Sequence, residues 1–194
     1  AGLNRRETIR RLSTRLDTMI DSLLTHARVS RLELDRRSVD ANEALEDALD
    51  RIGASIEQRE ATVNVPRRLP TVQADRERLV EVFSNLVSNA VKYGGERPEI
   101  EVGWTETVSS AEGDATEPGP AFYVRDHGIG IDPKHHELVF RLFKRLHARD
   151  AYGGGSGAGL TIVHKLVERH GGRVWIESAL GKGTTVWFTL GAGS

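Results

Sequence analysis

A chain of 194 residues that is 38% hydrophobic and 28% charged is long enough for one large or two small soluble domains. Its net charge of −1 creates no field that selects for nucleic acid or an anionic membrane, and the lack of cysteine excludes disulfides and thiolate metal sites. No apolar run approaches the roughly 18–20 residues of a membrane span, and the N-terminus carries no signal-type apolar segment.

The opening Ala-Gly-Leu-Asn-Arg-Arg runs straight into a helical pattern without an initiator Met, as expected of a piece of a longer chain, and the lack of cysteine fits a cytoplasmic location. Residues 5–33 read as one long helix. Ile9, Leu12, Leu16, Met19 and Leu23 step by 3, 4, 3 and 4, a bundle or coiled-coil seam, with charged residues on the opposite face. Such a one-sided helix needs a partner helix. Ser38-Val39-Asp40 then caps a second helix at about 40–59.

From residue 61 the texture becomes α/β. Strands are expected at 62–65 and 71–73, separated by Pro66 and Pro70, followed by a helix at 75–93 capped by Asp75 and ended by Gly94-Gly95. Strands at 99–107 and 121–126 flank a polar surface loop around 109–119. A short helix at 133–142, a glycine-rich stretch, a helix at 158–170 and strands at 173–178 and 184–190 complete the chain.

Four features carry chemistry. Asn85, Asn89 and Lys92 are spaced i, i+4, i+7 on the 75–93 helix, so they share a stripe on an otherwise apolar element. Buried Asn needs partners, an Asn carbonyl oxygen is a hard ligand suited to Mg²⁺, and Lys is a point charge suited to phosphate. Asp126-His127-Gly128-Ile129-Gly130-Ile131 ends a strand with a carboxylate acceptor and two glycines that admit a flat ligand. Between Gly153 and Gly159 five of seven residues are glycine, and they run into an amphipathic helix whose free N–H groups suit phosphates. Positions 153, 155 and 158 also fit a dinucleotide fingerprint, with Glu177 as a ribose partner. That fold requires a strand before the glycines, and Lys144 to Tyr152 is charged instead. No Walker-type phosphate loop occurs. Gly181-Lys182-Gly183-Thr184 reads as a tight turn before the last strand.

Taken in order, these pieces resemble the ATP-binding domain of sensor histidine kinases. The N box resembles Asn85 through Tyr93, and the first glycine box Asp126-x-Gly128-x-Gly130. The F box resembles Val139-Phe140 through Phe143-Lys144-Arg145, and the later glycine boxes Gly155-x-Gly157-x-Gly159-Leu160 and Gly181-x-Gly183-Thr184. The match covers about 70–192. The wording around Phe143 to Gly154 and at Val167 to Gly172 is most similar to kinases of the bacteriophytochrome type.

The resemblance implies a Bergerat fold, shared with gyrase and MutL: an α/β two-layer sandwich, with a mixed sheet and helices on one face. It implies residues 38–194 as the catalytic domain and 1–37 as the second helix of a dimerisation bundle. ATP and Mg²⁺ are the implied cofactors. Asn89 would hold the metal, Asn85 and Lys92 the phosphates and Asp126 the adenine amino group, with Tyr93 beside the base. Gly128, Gly130, Ile131, Phe140, Phe143, Leu160 and Thr184 would line the site, and 144–157 would be its lid. Arg145 is expected to reach the phosphates from the basic cluster Arg141, Lys144, Arg145 and Arg149, and His147 lies in the same lid.

In the gyrase group a glutamate base stands at the position of Asn85; the Asn here suits a phosphoryl donor better than an ATP hydrolase. The implied partners are a second protomer, a response regulator and an upstream sensory module, with no nucleic acid. The phosphoacceptor His, followed by an acid in this family, has no match: Ala27-Arg28 follow His26, which reads as a seam-edge residue. His135, His136, His164 and His170 lack a third ligand at metal spacing and read as surface or packing residues. Two alternatives remain: a phosphatase-biased sensor, and an ATP-dependent module that controls a partner by contact.

Overall fold

A computed structural model describes residues 33–106, 119–136, 138–140 and 159–191. The expected long N-terminal helix lies outside them. Strand β1 (Arg37–Asp40) leads into helix α1 (Ala41–Gln58), then β2 (Thr62–Asn64), β3 (Thr71–Ala74) and α2 (Arg76–Tyr93). Strands β4 (Glu99–Thr105) and β5 (Ala121–Asp126), helix α3 (Gly159–Arg169) and strands β6 (Val174–Ser178) and β7 (Thr184–Thr189) follow.

Both long helices start where their carboxylates allow. Asp40 accepts from the Asn42 amide, and Asp75 accepts from the Arg78 amide. α2 stops at Gly94, whose amide donates to the Ala90 carbonyl. Its buried residues, Leu79, Val80, Val82, Phe83, Leu86, Val87, Ala90 and Val91, cover more than one stripe because the helix packs on the sheet, on α1 and on α3.

The main sheet has the order β2-β4-β5-β7-β6, parallel between β2 and β4 and antiparallel elsewhere; β1 and β3 form a separate antiparallel pair. The implied mixed sheet with helices on one face is therefore present. Strand alternation sends Phe122, Val124, Val186, Phe188 and Ile176 toward the helices. Phe83 of α2 meets Phe122 and Phe188 edge-on at centroid distances of 6.0 and 5.7 Å, while Phe122 and Phe188 stack at 5.1 Å. This aromatic trio anchors α2 across the two central strands, and so fixes the height of its C-terminal turn above their ends.

Two local expectations need correction. Residues 37–40 are a strand as well as a helix cap, because Val39 is buried opposite Val72. The expected helix at 133–142 is replaced, among its described residues, by two 3₁₀ turns, Pro133–His135 and Leu138–Phe140. Asp132 caps the first turn through the Lys134 amide, and the His136 amide closes on the Pro133 carbonyl in i→i+3 fashion.

Candidate functional site

The C-terminal ends of α2 and β5 meet the turn between β6 and β7. Asp126, the last residue of β5, is only 8% exposed, and its Oδ1 accepts from the Gly128 amide at 2.8 Å. The Thr184 amide donates to the same carboxyl. Burial pushes the Asp126 carboxyl above its ordinary range, against the pull of these two amides. A buried acceptor of this kind suits a ligand group that brings hydrogens.

The glycines around it admit the backbone of neighbouring segments. A Cβ on Gly128 would collide with the carbonyl oxygen of Tyr93, and Gly130 sits at φ +66° against the Ala179 carbonyl. The Ile129 amide donates to Tyr93 O at 3.2 Å, Gly181 N to Ile129 O at 2.8 Å and Gly183 N to Gly128 O at 3.1 Å. The two glycine segments far apart in the chain are thus bonded to one another and to the end of α2. Ser178 joins them: its Oγ lies 2.8 Å from the Ile131 amide, 2.7 Å from Gly183 O and 2.9 Å from Thr184 Oγ1.

The second half of the site lies along α2. Asn85, Asn89, Lys92 and Tyr93 are all half-buried. The Asn85 amide nitrogen donates to Glu81 O at 2.8 Å, which leaves its carbonyl oxygen facing away from its own helix. Gly159, the first residue of α3, lies against these amides: a Cβ there would stand 3.0 Å from Asn85 Oδ1 and 3.6 Å from Asn89 Nδ2. Helix α3 therefore lies against the asparagine stripe at Gly159. Lys92 Nζ is 5.1 Å from the Tyr93 ring centroid and makes no ion pair among the described residues.

Leu160 is half-buried against the core, as are Ile131 and Phe140, and Phe140 lies 5.7 Å from the His164 ring. Phe143, Arg145, Gly155 and Gly157, with His147 and the rest of the expected lid, lie outside the described residues. Among the described residues no group of three or more His, Cys, Asp or Glu is placed to hold a metal. Glu177 pairs with Thr185, one position out of phase with Ser178 and Asp126, and so stands on the sheet's other face. Glu177 is therefore not on the face of Asp126, and the glycines of the dinucleotide fingerprint lie outside the described residues. Ser178 was not anticipated; the signal for it is its register opposite Thr184, invisible until the hairpin is aligned.

Residues 74–194 match the model of the histidine kinase-, DNA gyrase B-, and HSP90-like ATPases. The chain belongs to that family. Cyanobacterial phytochrome B of Nostoc sp. PCC 7120 is 45% identical over 184 residues, covering 94% of this chain and 23% of the relative. Sensor histidine kinase WalK of Bacillus subtilis is 40% identical over 146 residues, covering 73% of this chain and 22% of the relative. The chain thus spans about a quarter of these relatives' length.

Among solved structures, full-length ShkA in complex with AMPPNP superposes with a TM-score of 0.70 at 25% identity, covering all of this chain and 40% of ShkA. The nucleotide-free catalytic domain of histidine kinase ThkA gives 0.62 at 22% identity, covering 82% of this chain and 96% of that domain. The family is ATP-binding, and this chain carries its histidine kinase-type ATPase domain, similar to those of phytochromes and sensor histidine kinases. No helix among the described residues is long and apolar enough to cross a membrane.

Proposed function

We propose that this domain binds Mg²⁺-ATP and donates the γ-phosphoryl to a histidine on a dimerisation helix, for relay to a response-regulator aspartate. The single observation that supports this best is the meeting of Gly159 of α3 with the Asn85 and Asn89 amides along α2. The donor set fits a metal: Asn89 would hold Mg²⁺ through its carbonyl oxygen, with phosphate and water oxygens as the remaining ligands. Bound there, the ion would neutralise phosphate charge. Lys92 adds a second positive charge, and Asn85 supplies a polar contact without a carboxylate base that would favour hydrolysis.

Asp126 accepts from the adenine amino group, while Gly128 and Gly130 let the base approach the backbone. Phe140, Leu160 and Ile131 form the apolar floor, and Phe143, Arg145, Gly155 and Gly157 belong to the lid. Residues 1–37 are assigned to the bundle, whose second protomer makes a homodimer, and residues 38–194 to the catalytic domain. An upstream sensory module sets its activity, and its location is the cytoplasm.

The test is calorimetry with ATP, ADP and GTP in the presence and absence of Mg²⁺. Adenine nucleotides are expected to bind more tightly than GTP, and equal affinities would defeat the assignment. For the transfer, the 194-residue chain is expected to carry no acid-labile phosphate by itself. When a preceding acceptor helix is supplied, label should appear on a histidine there and survive His26→Ala. Label on His26 of the chain alone would refute the acceptor assignment.

A further inference from the structure

We propose that the outer edge of β6 is an interface for a second copy of this chain, paired antiparallel about Trp175 so that Arg173 of each copy meets Glu177 of the other. The inference is independent of the nucleotide reading.

Strand β6 ends the main sheet, and among the described residues no strand pairs with its far edge. Natural edges are blunted by lysine, proline or a bulge. Val174–Ser178 reads Val-Trp-Ile-Glu-Ser, without lysine or proline, and its register with β7 runs unbroken. The direction of its backbone follows from one bond. The Thr189 amide donates to the Arg173 carbonyl at 2.9 Å, so the Arg173 main chain faces β7. Antiparallel alternation turns Trp175 and Glu177 the same way, and it leaves the N–H and C=O of Val174 and Ile176 directed outward. Such groups need a partner, supplied by water or by another strand.

The side chains of Arg173, Trp175 and Glu177 share the sheet face that is turned away from the helices. Trp175 stacks on Trp187 at 5.9 Å with 5° between the rings, and Trp187 lies 4.8 Å from Tyr123. The Arg173 guanidinium is 4.6 Å from the Trp175 ring centroid, and Glu177 is exposed. The edge therefore presents cation, aromatic ring and anion at alternate residues.

That order is self-complementary in one register. A pairing shifted by a single residue would set this face against the helix side, so only alternate registers are open. With Trp175 on the two-fold axis, Arg173 opposes Glu177 on both sides and the two Trp175 rings meet, which carries the aromatic row into the second copy. Val174 then opposes Ile176, so the outward backbone groups of each copy pair with those of the other. Placing Ile176 on the axis would set Trp175 opposite Glu177 and Arg173 opposite Ala179. Placing Val174 there would set Arg173 opposite Trp175 and leave Glu177 beyond the pair. Charge and backbone direction agree only on the Trp175 axis. One added strand is a small interface, below the roughly 1,200 Å² of stable complexes, so the association is weak and covalent trapping is the suitable readout.

The chain has no cysteine, so introduced thiols report this contact alone. Positions 173 and 177 of the two copies form a non-hydrogen-bonded pair, the closer kind, within reach of a disulfide. The experiment oxidises the full-chain Arg173→Cys and Glu177→Cys proteins in glutathione buffer, each alone and as an equal mixture, and reads linked dimer on a non-reducing gel. The mixture is expected to link about tenfold or more faster than either alone, because like positions stand roughly 13 Å apart along the ladder. Equal rates in all three, or no linkage in the mixture, overturn the proposal. Should either variant fail to fold, Trp175→Cys carries the test from the axis itself. It should link to its own copy, Glu177→Arg in the same chain should slow that linkage about tenfold, and adding Arg173→Glu should restore it. A Trp175→Cys protein that does not link, or that links at a rate indifferent to these charges, overturns the proposal.

Discussion

The two ends of the site are held in place by different means. At the base end, the backbone of Gly128, Ile129, Gly181 and Gly183 is bonded to itself and to the last turn of α2, with the Asp126 carboxylate and the Ser178 hydroxyl bonded to main-chain groups of the same segments. At the phosphate end, Asn85, Asn89 and Lys92 are side chains on one helix face, approached by Gly159 of a second helix. The base end is thus part of the fold, and its shape exists before any ligand arrives. The phosphate end consists of polar side chains whose full complement of partners includes the ligand. Damage to the first should register as lost stability, and damage to the second as lost binding.

The largest expected effect separates two Gly→Ala changes. Gly128→Ala places a methyl against the main-chain carbonyl of Tyr93, which no side-chain rotation can relieve. It should destabilise by about 2–4 kcal/mol, read as a lower Tm. Gly159→Ala places its methyl against the flexible Asn85 amide. Stability should stay within about 1 kcal/mol of the original because Ala favours the helix, while nucleotide affinity falls. Equal losses of Tm in both would erase the distinction between the two ends. Next in size, Asn89→Ala should remove the Mg²⁺ dependence of nucleotide binding with Tm unchanged or slightly raised, since Asn is a poorer helix former than Ala. Unchanged metal dependence would remove Asn89 as a ligand.

Asp126→Asn sharpens the comparison from inside the base end. Burial raises the Asp126 carboxyl above its ordinary range. Any stability it contributes in the protonated form is lost as pH rises through that raised value, and above it the folded chain carries a desolvated charge. The neutral amide removes that charge and keeps an oxygen for the Gly128 amide. Apo Tm at pH 7 should therefore hold or rise, while ADP binding weakens by about 1–3 kcal/mol as the acceptor for the amino group is lost. Loss of Tm and affinity together would mean that the carboxylate is structural.

The phosphate end was legible in the sequence because its signal is local: the 85, 89, 92 spacing on an apolar helix needs only helical period. Strand β5 was placed to the residue, and α2 to within one, because alternation and the Asp75 and Gly94 caps are also local. The base end was legible only in its parts. That Asp126, Thr184 and Ser178 form one row depends on the pairing of β6, β7 and β5, and Ser178 has no special neighbours in the chain. Strand β1 was missed for the same reason: its identity depends on β3, more than thirty residues away. The 3₁₀ turns at 133–140 fooled the helical period because Pro133 and the Asp132 cap suit a single turn as well as a helix start.

The smallest expected effect concerns how α2 itself is anchored, at the end away from the site. His170 is 1% exposed and follows α3; its Nδ1 is 2.8 Å from Leu166 O, and its Nε2 is 3.1 Å from the Asp75 amide nitrogen. A carbonyl can only accept and an amide N–H can only donate, so Nδ1 carries the proton and the ring is neutral. Asp75 is the N-cap of α2, and its Oδ2 also accepts from the Asp35 amide, while Arg36 donates to the Arg169 carbonyl. The imidazole therefore ties the start of α2 to the end of α3, and Asp75 and Arg36 bring residues 35–36 to the same place.

Burial lowers the His170 pKa from its ordinary value, with the Arg36 charge acting in the same direction and the Leu166 bond and the Asp75 charge opposing. A protonated Nε2 would face the Asp75 N–H, donor against donor. Because the folded value is depressed, the unfolded chain binds more protons below about pH 6.5, and stability falls as pH drops through that window. The slope attributable to this group is at most about 1.4 kcal/mol per pH unit. Thermal melts between pH 7.5 and 5.5 should show the decline, and His170→Gln, which cannot charge, should flatten it from a lower starting Tm. A decline of the same slope in the variant would assign the acid sensitivity to other groups and leave His170 a packing residue whose charge state does not matter.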